Sequence, residues 1–68
     1  MTDNLDLQTR RRRLRLNQWD IARELGLGRA AYVSELETGK RVSFPNGLGR
    51  ADYERVLDQI EAQRATAA

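Results

Sequence analysis

Four consecutive arginines, Arg10 to Arg13, sit in a segment that Asn4 or Asp6 can cap as a helix and that runs to about Leu14. An α-helix turns about 100° per residue, so four neighbours surround nearly its whole circumference and cannot all face water. Leu7 and Leu14 share the inward stripe. Arg11 falls about 40° from that stripe, closer than any other arginine of the run. A guanidinium removed from water without a partner is strongly destabilising, so Arg11 requires a carboxylate from elsewhere in the chain. Glu37, at the inward edge of a later helix, is the expected partner, and the pair would lock the first helix to the third. Arg10, Arg12, Arg13 and Arg15 are left for phosphates or solvent.

The rest of the chain also reads as helix, with few β-branched residues and no period-two alternation. Asn17 and Asp20 have capping-box spacing; Ile21, Ala22 and Leu25 follow on one face, and Gly26 stops the second helix. A third helix, roughly 29–38, has Val33 and Leu36 inward and ends at Gly39. Residues 39–49 read as a loop anchored by Phe44 and Pro45. The last helix, about 50–64, carries Tyr53, Val56, Leu57 and Ile60 on one stripe, and 65–68 read as a frayed tail. One echo stands out: residues 26–32 and 47–53 match at six of seven positions, which fits two helix starts built alike.

With 68 residues the chain reads as a single domain, 1–68, burying about 60% of its unfolded surface. It contains no cysteine and no histidine, which excludes disulfides, zinc fingers, thiol nucleophiles and imidazole bases; no metal and no cofactor are expected. The longest apolar run is Ala30 to Val33, and Met1-Thr2-Asp3-Asn4 has no signal-peptide pattern, so a cytoplasmic protein off the membrane is expected. Nothing reads as an enzyme. Gly26 to Ala31 meets a loose G-x-G-x-x-A pattern but follows a helix rather than a strand, and Thr38-Gly39-Lys40 lacks the earlier glycine of a phosphate loop. Asp58 and Glu61 read as an exposed acidic face. The net charge of +2 hides an asymmetry, since residues 10–41 carry nine cations against four acids. A basic body with acidic ends has two readings, a polyanionic partner on one face or solvated arginines that keep the chain soluble.

Residues 17–39 form a short capped helix, a glycine turn and a second short helix, a spacing that suits a helix-turn-helix. Arg11, Leu16-Asn17-Gln18, Ile21-Ala22, Leu25-Gly26 and Val33-Ser34-Glu35-Leu36-Glu37-Thr38-Gly39-Lys40-Arg41 resemble the Cro/repressor-type (XRE) family over about half the chain. The resemblance implies an all-α, four- to five-helix, lambda-repressor-like domain that binds operator DNA as a homodimer and regulates transcription; the Arg11–Glu37 pair is also a feature of that family. The chain departs from the pattern by one extra residue between Gly26 and Leu36, and by a loop after Arg41 where the family has a short helix.

Taking Val33 as inward, helical geometry turns Ala31, Ser34, Glu35 and Thr38 outward, with Tyr32 to one side. Expected base contacts are Arg29, Ala31, Tyr32, Ser34 and Glu35, with Tyr32 alternatively in the core. Arg29 would meet guanine or a phosphate, and Glu35 would either accept from cytosine N4 or lie in solvent outside the contact zone. Expected phosphate contacts are Asn17, Gln18, Trp19, Lys40, Arg41 and Arg50. Asn17 has capping as its other reading, and Trp19 has packing on a neighbouring helix. For the dimer contact the candidates are the outer face of the last helix and the Phe44 loop. Two rival readings are an antitoxin-like module, whose terminal helix or tail folds on a protein partner, and a DNA binder without sequence preference.

Overall fold

Residues 4–67 are described by a computed structural model with four helices: α1 (Leu5–Arg13), α2 (Gln18–Glu24), α3 (Ala30–Glu37) and α4 (Arg50–Ala67). Among the described residues there is no strand; Ser43 and Gly49 form one isolated antiparallel bridge. The radius of gyration is 11.5 Å, close to the ~11 Å of a compact chain of this length. No helix is long and apolar enough to cross a membrane.

Each boundary has a local cause. At α2 the capping box is complete: the Asp20 N–H donates to Asn17 Oδ1 at 2.8 Å, and the Asn17 N–H donates to Asp20 Oδ2 at 2.9 Å. Gly26 ends that helix at φ +74°, a conformation that strains any residue with a Cβ, although the space around it is open. Asn4 precedes α1 but does not cap it with its side chain. Its Nδ2 donates instead to the Leu36 carbonyl at 2.7 Å, and its N–H donates to the Glu37 carbonyl at 2.8 Å. Asn4 therefore closes the C-terminus of α3, whose carbonyls have no partner inside the helix.

The core comprises Leu7, Ile21, Ala22, Leu25, Leu27, Val33, Leu36, Phe44, Tyr53, Val56 and Leu57. Phe44 is the loop's anchor, whereas Pro45 is exposed, contrary to expectation. The turn that buries Phe44 is closed by its own backbone: the Phe44 N–H donates to the Leu48 carbonyl, and the Gly47 N–H to the Phe44 carbonyl. Asn46 Nδ2 then ties the loop to the Leu25 carbonyl at 2.9 Å. Buried at 3% exposure within its own chain, the Phe44 side chain is not a free dimer contact.

α4 continues past the expected end at residue 64 to Ala67, because nothing in Arg64-Ala65-Thr66 breaks a helix, and Ala68 lies outside the described residues. Residues 61–66 are all exposed. The echo is structural: Gly26 and Gly47 both take positive φ and each leads, past a core-packed leucine, into a helix.

Candidate nucleic-acid interface

Glu37 holds the four helices together. Its carboxylate is fully buried on α3 and receives donors from the other three. Arg11 of α1 gives Nε to Oε2 at 2.9 Å and a second N–H to Oε1 at 3.3 Å, as expected for the inward arginine. Gln8 of α1 and Gln18 of α2 donate to Oε1, at 3.4 and 3.2 Å. The Tyr53 hydroxyl of α4 donates to Oε2. Arg11 spends a further N–H on the Leu16 carbonyl at 2.9 Å, which fixes the start of the α1–α2 connection. No buried polar side-chain atom lacks a partner among the described residues.

Burial pushes the Glu37 carboxyl up, but hydrogen bonds from Arg11, Tyr53 and Gln18 outweigh it and hold the group below the ordinary carboxylate value. Burial, joined by the bond to Glu37, pushes the Tyr53 phenol well above its own. The unfolded chain therefore binds more protons than the folded one as the pH falls from the free carboxylate value toward that of Glu37. Glu37's contribution to stability is complete above that window and is lost as pH falls through the folded value. Tyr53 works in the opposite sense: its contribution is complete below the free phenol value, about 10, and fades as pH rises above it. With no histidine or cysteine in between, the urea midpoint is expected to be nearly flat from about pH 6 to 9 and to fall steeply below about 4. A midpoint constant down to pH 3 would contradict the role given to Glu37.

With its inner side anchored in this way, α3 turns the opposite side outward. Val33, Leu36 and Glu37 are buried; Ala31 and Thr38 are exposed; Tyr32, Ser34 and Glu35 are half-buried. Arg29 stands at the helix entrance in extended conformation, exposed and making no cap bond with its side chain. Lys40 is exposed just past Gly39, which has φ +83°. Neither cation has an ion-pair partner among the described residues, and neither do Arg12, Arg13 and Arg15 near the end of α1. Trp19 is 45% exposed on α2, outward as its helical phase requires.

Other expected contacts are already engaged within the fold. Arg50 bonds Asn4 Oδ1, both oxygens of Asp6, and Glu54, so its guanidinium ties the start of α4 to the start of α1. The bond from Arg50 is also what holds the Asp6 carboxyl below its ordinary value. Arg10 pairs with Asp58 and Glu61 at 2.7 and 3.0 Å and is not left for phosphate or solvent. Gln18 directs its amide to Glu37, and Asn17 is occupied in the capping box. Arg41 pairs with Glu35 at 3.1 Å and lies 4.9 Å from the centre of the Tyr32 ring, so Tyr32, half-buried and packed against the core, has Arg41 over its face. The Tyr53 link to Glu37 is absent from the sequence reading, which places Tyr53 only on an apolar stripe. A buried phenol needs an acceptor, and that requirement is the signal that could have found it.

No protein-family model, curated protein or solved structure matches the chain. The reading of this surface therefore rests on its own residues.

Proposed function

We propose that the chain is a sequence-specific, double-stranded-DNA-binding transcriptional regulator of the Cro/repressor type, with no catalytic role. In this reading α2 and α3 form the helix-turn-helix and α3 enters the major groove with Arg29, Ala31, Ser34 and Glu35 toward the bases. Lys40, with Trp19 and the arginines at the end of α1, approaches the phosphates. The observation that carries the reading is the outward side of α3, flanked by the cations Arg29 and Lys40, which have no ion-pair partner among the described residues, while Arg10, Arg11 and Arg50 are consumed inside the fold. Cations held out of ion pairs around a small polar helix face are suited to a polyanion.

A single recognition helix touches few base pairs, so the active species is a homodimer on a palindromic operator with half-sites about 34 Å apart. It represses by occupying promoter DNA, in the cytoplasm at the nucleoid. The test is an electrophoretic shift assay with duplexes selected from a random pool, at two salt concentrations and against scrambled competitor. The expected result is a complex that scrambled duplex displaces poorly and that weakens as salt rises. Equal displacement by scrambled duplex would leave a binder without sequence preference. Absence of any shift would favour a protein-interaction module using the exposed end of α4.

A further inference from the structure

We propose that Arg41 is a positioning residue for base selection: it braces Glu35 so that the second carboxylate oxygen accepts the N4 amino group of a cytosine in the major groove. The inference rests on the reading that α3 enters that groove. Glu35 Oε1 accepts the Nε–H of Arg41 at 3.1 Å, and a terminal nitrogen of the same guanidinium lies within ion-pair distance of it at 3.1 Å, while Oε2 has no hydrogen-bond partner among the described residues. The Arg41 guanidinium is itself held on two further sides. Its other terminal nitrogen donates to the Ser43 carbonyl at 3.2 Å, and its guanidinium lies over Tyr32 at 4.9 Å from the ring centre. The backbone N–H groups of Lys40 and Arg41 both donate to the Glu35 carbonyl, at 2.8 and 3.3 Å, which folds the chain after Gly39 back along α3.

This arrangement removes two obstacles to a carboxylate reading DNA. Phosphates repel an uncompensated negative charge, and here a guanidinium that cannot lose its proton sits on one oxygen. A free glutamate side chain would also lose rotamer freedom on binding, whereas this one is immobilised beforehand. What remains is a fixed oxygen that only accepts hydrogen bonds. In the major groove guanine and thymine present acceptors, adenine presents a donor beside the N7 acceptor, and cytosine presents the N4 donor. Cytosine is the base without a neighbouring acceptor to repel the carboxylate.

The experiment is selection from a random duplex pool with the wild-type chain, Glu35→Gln, Arg41→Ala and the double variant, each confirmed helical by circular dichroism. The wild type is expected to favour cytosine at one position of each half-site by about ten-fold or more. Glu35→Gln should move that preference to adenine, because an amide matches the N6/N7 pair. Arg41→Ala should flatten the same position to within about two-fold, on the same base-contact scale, while the other positions keep their preferences. Adding Arg41→Ala to Glu35→Gln should change base preference little. An Arg41→Ala variant that weakens all sequences equally and keeps the cytosine preference would show a plain phosphate contact and overturn the proposal. So would a Glu35→Gln variant that selects the wild-type motif. A wild-type chain that selects no motif would overturn the parent reading, a failure distinct from these two.

Discussion

Glu37→Ala is expected to leave much of the chain unfolded at 37 °C. The substitution removes the acceptor of Arg11, Tyr53, Gln18 and Gln8 at once, and Arg11 stays at 8% side-chain exposure with its charge uncompensated. Breaking a buried ion pair by deleting one partner destabilises by about 3–5 kcal/mol. Small domains hold about 0.05–0.15 kcal/mol per residue, so this loss is comparable to the whole stability of a chain this short. Removing the network as a unit should be far milder. Arg11→Met, Glu37→Leu and Tyr53→Phe together replace desolvated polar groups by apolar ones of similar volume, and such exchanges are often neutral. Urea unfolding followed by circular dichroism reads both. A Glu37→Ala midpoint close to that of the wild type would mean that the carboxylate does not organise the helices.

The second large effect is on DNA. Arg29→Glu with Lys40→Glu is expected to lower affinity for a selected duplex by about a hundred-fold or more, since each substitution removes a favourable contact of about 1–3 kcal/mol and adds repulsion. Stability should hardly change, because both side chains are exposed and neither has an ion-pair partner among the described residues. The same reversal at Arg50 would be a poor probe of DNA contact. It breaks the ties to Asp6, Asn4 and Glu54 and so perturbs the packing of α1 on α4. Titration in a shift assay checks the Arg29/Lys40 variant, with the urea midpoint as control. Wild-type affinity in that variant would remove both cations from the interface.

How much could be read from the sequence depended on how local the cause was. Helix phases and the α2 cap were legible because hydrophobic period and cap chemistry act over a few residues, as at Asn17 to Asp20. The Arg11–Glu37 pair was legible despite its 26-residue separation, because helical phase left Arg11 nowhere to go but inward. Pairings between exposed groups were not. Nothing local links Arg50 to Asp6 across 44 residues or Arg10 to Asp58 across 48, and only the packing of α1 beside α4 brings them together. Asn4 misled for a related reason. Its position suits a cap for α1, yet the nearby C-terminus of α3 presents carbonyls that accept from it.

The same limit applied to the candidate interface. Helical phase placed Ser34 and Glu35 on the outer side, but Arg41 lies beyond the helix, and its grip on Glu35 depends on the reversal after Gly39. Pro45 was assigned an anchoring role that Phe44 and the backbone of its turn fulfil without it.

Mapping which surface meets the duplex tests this account most directly. Amide chemical shifts of the isotope-labelled chain, followed while a selected duplex is added, are expected to move most from Arg29 to Arg41 and around Trp19, with little change along the outer side of α4 at Arg55, Asp58 and Ala62. Perturbations concentrated on α4, with the α3 amides unmoved, would contradict it.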